Sequence, residues 1–189
     1  METFTAKYED LATMFRATVV TRGTRPFLGT KRHGRWEWTT YAEFEVLVLR
    51  ARSILGELGV AKGDRVAIIS NNRLEWAVCA YATWSLGAVY VAMYETQLDK
   101  DWRFILNDCT AKLCFAATTA IFEKVSAMKG GLPNLAHVLS FDPNAKGDVS
   151  FADRMRRATS GGEAAVAQVG GSGLVVIDDA DVLARGVGE

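Results

Sequence analysis

Leu58-Gly59-Val60-Ala61-Lys62-Gly63-Asp64-Arg65-Val66-Ala67-Ile68-Ile69-Ser70 is the stretch on which the fold turns. Gly59 reads as a left-handed cap that ends a helix. Lys62-Gly63-Asp64 reads as a turn, and Arg65 to Ser70 as a short, mostly apolar and β-branched strand covered on both faces. Upstream, Thr40-Tyr41-Ala42-Glu43 has capping-box spacing, in which the threonine hydroxyl accepts from the N3 amide and the glutamate reaches back to the cap amide. Phe44, Leu47, Val48, Ala51, Leu55 and Leu58 then form the buried stripe of that helix.

The same alternation continues downstream. Asn72 with Glu75 marks a helix start, Trp76 to Leu86 completes that helix, and Gly87 precedes a second buried strand over Ala88 to Met93. Asp99 opens a helix through Asn107, Lys112 to Ala116 is a third strand, Thr119 to Met128 is helical, and His137 to Phe141 is a fourth strand after Pro133. Nearer the N-terminus, Tyr8 to Val20 has helical spacing. Pro26 to Gly29 and Arg35 to Trp38 read as two short strands around a basic, glycine-containing turn. Helix–strand alternation at this spacing predicts an α/β fold with a mainly parallel sheet and flanking helices.

Beyond Asp142 the character changes, and the chain divides into an α/β segment over 1–145 and a remainder over 146–189. Ser150 with Asp153 caps a short helix expected to end at Arg157. Thr159-Ser160-Gly161-Gly162 to Gly170-Gly171-Ser172-Gly173 reads as a flexible linker. Leu174 to Ile177 reads as a strand and Asp178-Asp179-Ala180-Asp181 as a helix start.

Of the 189 residues, 49% are apolar and 23% charged, as in a globular protein. Lysine plus arginine number 22 and aspartate plus glutamate number 22, a balance that offers no global electrostatic reason for a nucleic-acid or anionic-membrane partner. Cys79, Cys109 and Cys114 are odd in number, lie in apolar stretches and have no metal-ligand spacing, so reduced core thiols are expected. The N-terminus has no secretory-signal pattern. The most apolar window, Val78 to Met93, is interrupted by Thr83, Ser85 and Gly87 and falls short of the roughly 20 apolar residues a membrane span needs.

Catalytic motifs fare poorly. Gly29 to Gly34 has the outer spacing of a phosphate loop, but Arg35-Trp36 stands where lysine and a hydroxyl are required. Gly170 to Gly173 does not spell a dinucleotide fingerprint. His33 and His137 have no nucleophile elbow, and both read as structural or surface histidines. Asp178, Asp179 and Asp181 read as helix-start charges rather than cation ligands. Trp36, Trp38, Trp76, Trp84 and Trp102, with Tyr81, Tyr90 and Tyr94, read chiefly as core.

An ordered set of segments is more specific: Trp38 to Glu43, Leu58 to Ser70, Asn71-Asn72-Arg73-Leu74-Glu75-Trp76, and Gly87 to Thr96. Together they resemble the N-terminal segment of the adenylate-forming acyl-CoA synthetases. Tyr94-Glu95-Thr96, with Phe104-Ile105-Leu106-Asn107-Asp108, is similar to the long-chain fatty acyl-CoA subgroup, and Asn134 to Asp142 continues the likeness. The resemblance implies a partial N-terminal subdomain of an acyl-CoA synthetase-like fold. It also implies a two-step reaction, in which a fatty carboxylate and ATP give acyl-AMP and pyrophosphate and coenzyme A then displaces AMP, with Mg2+ as cofactor.

Asp178-Asp179 resembles the acidic pair that stands ahead of the family's phosphate loop, and Leu183 to Glu189 follows in that loop's place. No catalytic, cofactor-binding or metal-binding residue is therefore assigned to the chain, and its substrate-binding residues stay unknown. The expectation is a fragment of a long-chain fatty acid–CoA ligase, inactive alone and binding no cofactor by itself. Two alternatives stand beside it: a non-catalytic module pairing with a complementary synthetase half, and an acyl-chain binding module. A cytoplasmic location is expected, with peripheral membrane association left open.

Overall fold

The computed structural model describes residues 7–166. In chain order the elements are α1 (Leu11–Arg22), β1 (Pro26–Arg32), β2 (Arg35–Thr40), α2 (Tyr41–Glu57), β3 (Arg65–Ile69), α3 (Leu74–Ser85), β4 (Val89–Met93), α4 (Asp99–Asp108), β5 (Leu113–Ala116), α5 (Thr119–Met128), β6 (His137–Ser140) and α6 (Phe151–Val166). Strands β3 to β6 form one parallel sheet in the order β4-β3-β5-β6, while β1 and β2 form a separate antiparallel hairpin.

Local chemistry accounts for most boundaries. Thr40 and Glu43 make the reciprocal capping box: Thr40 N–H donates to the Glu43 carboxylate at 2.7 Å and Glu43 N–H to the Thr40 hydroxyl at 3.2 Å. Gly59 sits at φ +77°, as a left-handed helix exit requires. His33 and Gly34, at φ +47° and +79°, form the two-residue hairpin loop, a conformation whose twist matches that of the flanking strands. The Gly29 to Gly34 stretch is thus strand and turn.

Successive residues of a strand face opposite sides, and here the two sides are two cores. Val66, Ile68, Leu113, Phe115 and Leu139 point into a layer built with Phe15, Phe44, Leu47, Leu55 and Met155. Ala67, Ile69, Met93, Cys114, Ala116 and Val138 point into a second layer with Trp102, Leu106, Ile121 and Val125. The split follows from handedness. α3 carries the chain from β3 outward to β4, whereas α4 brings it back across β3 to β5, so right-handed crossovers put these helices on opposite faces.

Four details differ from the sequence reading. β4 is not buried on both sides: it is the sheet's edge, with Val89 50% exposed. α3 is capped by Arg73, without a side-chain cap bond, instead of by Asn72. Trp36, Trp38 and Tyr94 are outside the core, 61%, 56% and 73% exposed. The last helix runs to Val166 through Thr159-Ser160-Gly161-Gly162, where a linker was expected. Ala158, Glu163, Ala164 and Ala165 are strong helix formers that offset the roughly 1 kcal/mol cost of each glycine. Gly170 to Gly173, Leu174 to Ile177 and Asp178 to Asp181 lie outside the described residues.

Candidate functional site

A parallel sheet places its ligand crevice outside the carboxyl ends of its strands, where the strand order reverses. In the order β4-β3-β5-β6 that point lies between β3 and β5. A crevice of about 880 Å³ opens at this end of the molecule. Asn71 to Arg73, which follow β3, line it together with the first turn of α3, Glu95 beyond β4, Phe141 and Pro143 beyond β6, and the hairpin residues Leu28 to Arg32 and Trp36.

Arg73 organises the floor. Its guanidinium makes a two-point pair with Glu75, Nε to Oε2 at 2.8 Å and Nη2 to Oε1 at 3.1 Å. It also lies 5.3 Å from the centre of the Phe141 ring and donates at 3.5 Å to the Ala117 carbonyl at the end of β5. One side chain thereby ties the ends of β3, β5 and β6. The end of β4 is tied by Glu95, which accepts from the Asn71 N–H at 2.7 Å. At the outer strand Thr119 donates its hydroxyl to Asp142 at 2.6 Å, and this bond is the main reason the Asp142 carboxyl lies below its ordinary range.

The opposite end of the sheet is a lock. Lys112 Nζ contacts Asp64 at 2.8 Å and donates to the Gly59 carbonyl at 2.5 Å, while Asp64 accepts from the Ala61 N–H at 2.9 Å. The Lys112 bond, ahead of the backbone bond, holds Asp64 below its ordinary value. Arg65 donates to the Cys109 carbonyl at 2.6 Å. His137 begins β6 at this same end, away from the crevice, and burial pushes its pKa down, assisted by Lys129. His33 is at the hairpin tip. The two histidines are not brought together. Burial raises all three thiols, with Cys79 and Cys114 fully enclosed, so none is an activated nucleophile.

Among the described residues, the cations that line the crevice are Lys31, Arg32 and Arg73. Arg73 is spent on Glu75, Arg32 lies 3.7 Å from Glu37, and Gly29 is roofed by tryptophan rings and presents no open backbone cradle. No three His, Cys, Asp or Glu side chains converge among these residues as a metal set. What the arrangement does is tie four strand ends together as one wall of the crevice, with the hairpin lining the other side. The sequence reading placed Arg73, Glu75 and Glu95 in segments that carry the family resemblance, with Glu75 at a helix start, but gave none of them a role in a site. Their signal was their position just past predicted strands, but strand order, which makes that position a crevice, is not written in local sequence.

The comparisons with known proteins agree with this architecture. A family model for AMP-binding enzymes matches residues 15–176. The long-chain-fatty-acid–CoA ligase FadD15 of Mycobacterium bovis is 38% identical over 115 residues, covering 59% of this chain and 19% of that protein. Among solved structures, the fatty acyl CoA synthetase of Mycobacterium tuberculosis superposes with a TM-score of 0.64 at 25% identity, over 77% of this chain and 28% of the other. The anthranilate CoA ligase AuaEII superposes at 0.69 with 22% identity, over 81% and 28%. The chain spans about a fifth of the length of the curated relatives it matches.

Proposed function

The chain belongs to the AMP-binding enzyme family, and we propose on that premise that it is the N-terminal α/β part of an ATP-dependent long-chain fatty acid–CoA ligase. The observation that carries this reading is the 38% identity to a long-chain-fatty-acid–CoA ligase. In the whole enzyme, fatty acid, ATP and coenzyme A are the reactants and Mg2+ the cofactor. The product of the first step is an acyl-adenylate and that of the second an acyl-CoA.

The chain's own contribution is positional. Arg73, paired with Glu75, and Glu95, bonded to Asn71, fix one wall of the crevice, so no entropy is spent ordering that wall when substrate arrives. The groups that neutralise phosphate charge come from elsewhere in the enzyme. The 189-residue chain by itself therefore does not form acyl-adenylate. Purified chain incubated with a long-chain fatty acid, ATP and Mg2+ is expected to release pyrophosphate no faster than a protein-free control. Turnover above that control overturns this part of the reading.

A second reading, an interaction module for a complementary synthetase half, has one observation in its favour. The β4 edge and the loop and helix after it expose Val89, Tyr94, Leu98 and Phe104, at 50%, 73%, 60% and 68%. Paired with an open strand edge, such a surface is a template for further chain. Co-expression with the remaining length of a family ligase, followed by pull-down, is expected to yield a stable complex under this reading. A chain that stays alone in that experiment sinks it.

A further inference from the structure

Strand β4 closes one side of the sheet, and among the described residues no strand lies beyond it. Natural sheet edges are commonly blunted by lysine, proline or a bulge. Val89-Tyr90-Val91-Ala92-Met93 has neither charge nor proline, and it pairs with β3 residue for residue without a bulge. Its open side therefore offers backbone groups to any strand that can face it.

Bonding to β3 decides which groups those are. Val89 N–H donates to the Asp64 carbonyl at 2.8 Å, and the Met93 carbonyl accepts from Ser70 N–H at 3.3 Å. Val89, Val91 and Met93 thus direct their backbone groups toward β3. Direction alternates along a strand, so Tyr90 and Ala92 direct both N–H and C=O to the open side. The residues flanking this pair are already engaged. Ala88 N–H donates to the Thr83 carbonyl at 3.1 Å. Tyr94 N–H donates to the Gln97 side chain at 2.9 Å, and the Tyr94 carbonyl accepts from Trp102 Nε1 at 3.0 Å. An incoming antiparallel strand must therefore present two bonding residues with one non-bonding residue between them. That is the pattern of β4 itself.

We propose that this edge is a homodimer interface, in which β4 pairs antiparallel with β4 of a second copy about a two-fold axis at Val91. Tyr90 then stands opposite Ala92 of the second copy, and Ala92 opposite its Tyr90. Directly opposed residues of this kind exchange both bonds, so every outward group of the pair is matched. An axis at Tyr90 or at Ala92 would instead set one of these residues against Ala88 or Tyr94, whose groups are in use. Charge agrees with the register. The stem of Lys62 lies over Gly87, just ahead of β4, with its Cγ 3.1 Å from where a Cβ would stand, and Glu95 follows the strand. The axis at Val91 brings Gly87 opposite Glu95 of the second copy, so a cation meets a carboxylate on both sides of the axis. A second copy is favoured over a synthetase half because bond pattern and charge are both self-complementary. The proposal does not rest on the ligase reading, and its test uses neither ATP nor fatty acid.

A strand pair this short is a small interface, so the dimer is expected to depend on concentration. Sedimentation equilibrium of the full 189-residue chain, from micromolar to millimolar, is expected to show the mass rising from one chain toward two, less steeply in high salt. Ala92→Pro removes an outward N–H and no bond to β3, a position where an edge strand accepts proline. It deletes half of the interchain bonds and is expected to weaken association at least about tenfold. Lys62→Glu sets like charges across the axis and is expected to weaken it several-fold. Register is tested by oxidation in a Cys109→Ser background. Val91→Cys is expected to cross-link two chains, because the axis brings both copies of this residue face to face. Val89→Cys, which faces Met93 of the second copy, is expected not to. Far-UV circular dichroism checks that each variant is folded. A chain that stays monomeric throughout, or a dimer that Ala92→Pro leaves unchanged, overturns the proposal. Cross-linking at Val89 as readily as at Val91 does the same. A chain that is monomeric alone yet captures the remaining length of a family ligase, and loses it on Ala92→Pro, overturns it too and reassigns the edge to that half.

Discussion

Asp64 and Glu45 show how two carboxylates in one small protein come to act on stability with opposite sign. Asp64 accepts from Lys112 and from the Ala61 amide, and its pKa is lowered chiefly by the Lys112 bond. A carboxyl depressed in the folded state contributes stability that is present above its unfolded pKa of about 3.9 and is lost as pH falls through the folded value. Asp64→Asn is therefore expected to cost about 1 kcal/mol at pH 7, the pair being part-exposed, and to cost nothing once the medium is more acidic than the folded pKa. Glu45 on α2 has its pKa raised, first by burial, with Arg16 opposing. Its charged form is the penalised one, so Glu45→Gln is expected to raise the thermal midpoint at pH 7. That gain should vanish below about pH 4, where the native glutamate is itself protonated. Melting curves of the two variants against pH test both, and a loss in Glu45→Gln at neutral pH would refute the second.

At the scale of elements, what could be read in advance was what local chemistry dictates. The capping box at Thr40, the positive φ at Gly59 and the hairpin around His33-Gly34 are each specified by two or three neighbouring residues, and each stands as read. Thr40→Ala is expected to destabilise by about 1 kcal/mol, because it removes the hydroxyl bonded to the Glu43 amide and leaves that amide at a helix end without a partner. Equilibrium denaturation measures it, and an unchanged midpoint would mean the cap is dispensable. What escaped the sequence depends on neighbours distant in the chain. Val89 to Met93 looks like an interior strand because its composition is apolar, yet strand order leaves it at the edge. Trp36 and Trp38 look like core because they are large and aromatic, yet their hairpin turns that face outward. Arg73 is an ordinary pre-helical arginine until β5 and β6 bring Ala117 and Phe141 beneath it. The crevice is therefore a property of topology, assembled from residues whose local sequence resembles a family but assigns them no place in a site.

For the whole molecule, the question is whether the two layers on either side of the sheet fold as one. Leu55 is fully buried in the layer with α2, and Leu106 is 2% exposed in the layer with α4. They belong to different clusters, yet each cluster includes alternate residues of the same strands, Val66 and Ile68 on one side and Ala67 and Ile69 on the other. Removing either layer would strip one face of β3 and β5, so neither layer has a complete core without the sheet and the sheet has none without both. Leu55→Ala and Leu106→Ala are each expected to cost about 2–5 kcal/mol. Because the two sites belong to different core clusters, their effects should add to within about 0.5 kcal/mol in the double variant. Both single variants should still unfold in one transition, coincident by tryptophan fluorescence and far-UV circular dichroism. If Leu106→Ala instead splits the transition, with the α4–α5 side melting first, the sheet is held by the α2 side alone. Arg73 would then lose its bond to the Ala117 carbonyl, which belongs to the melted layer, and keep its pair with Glu75 on α3.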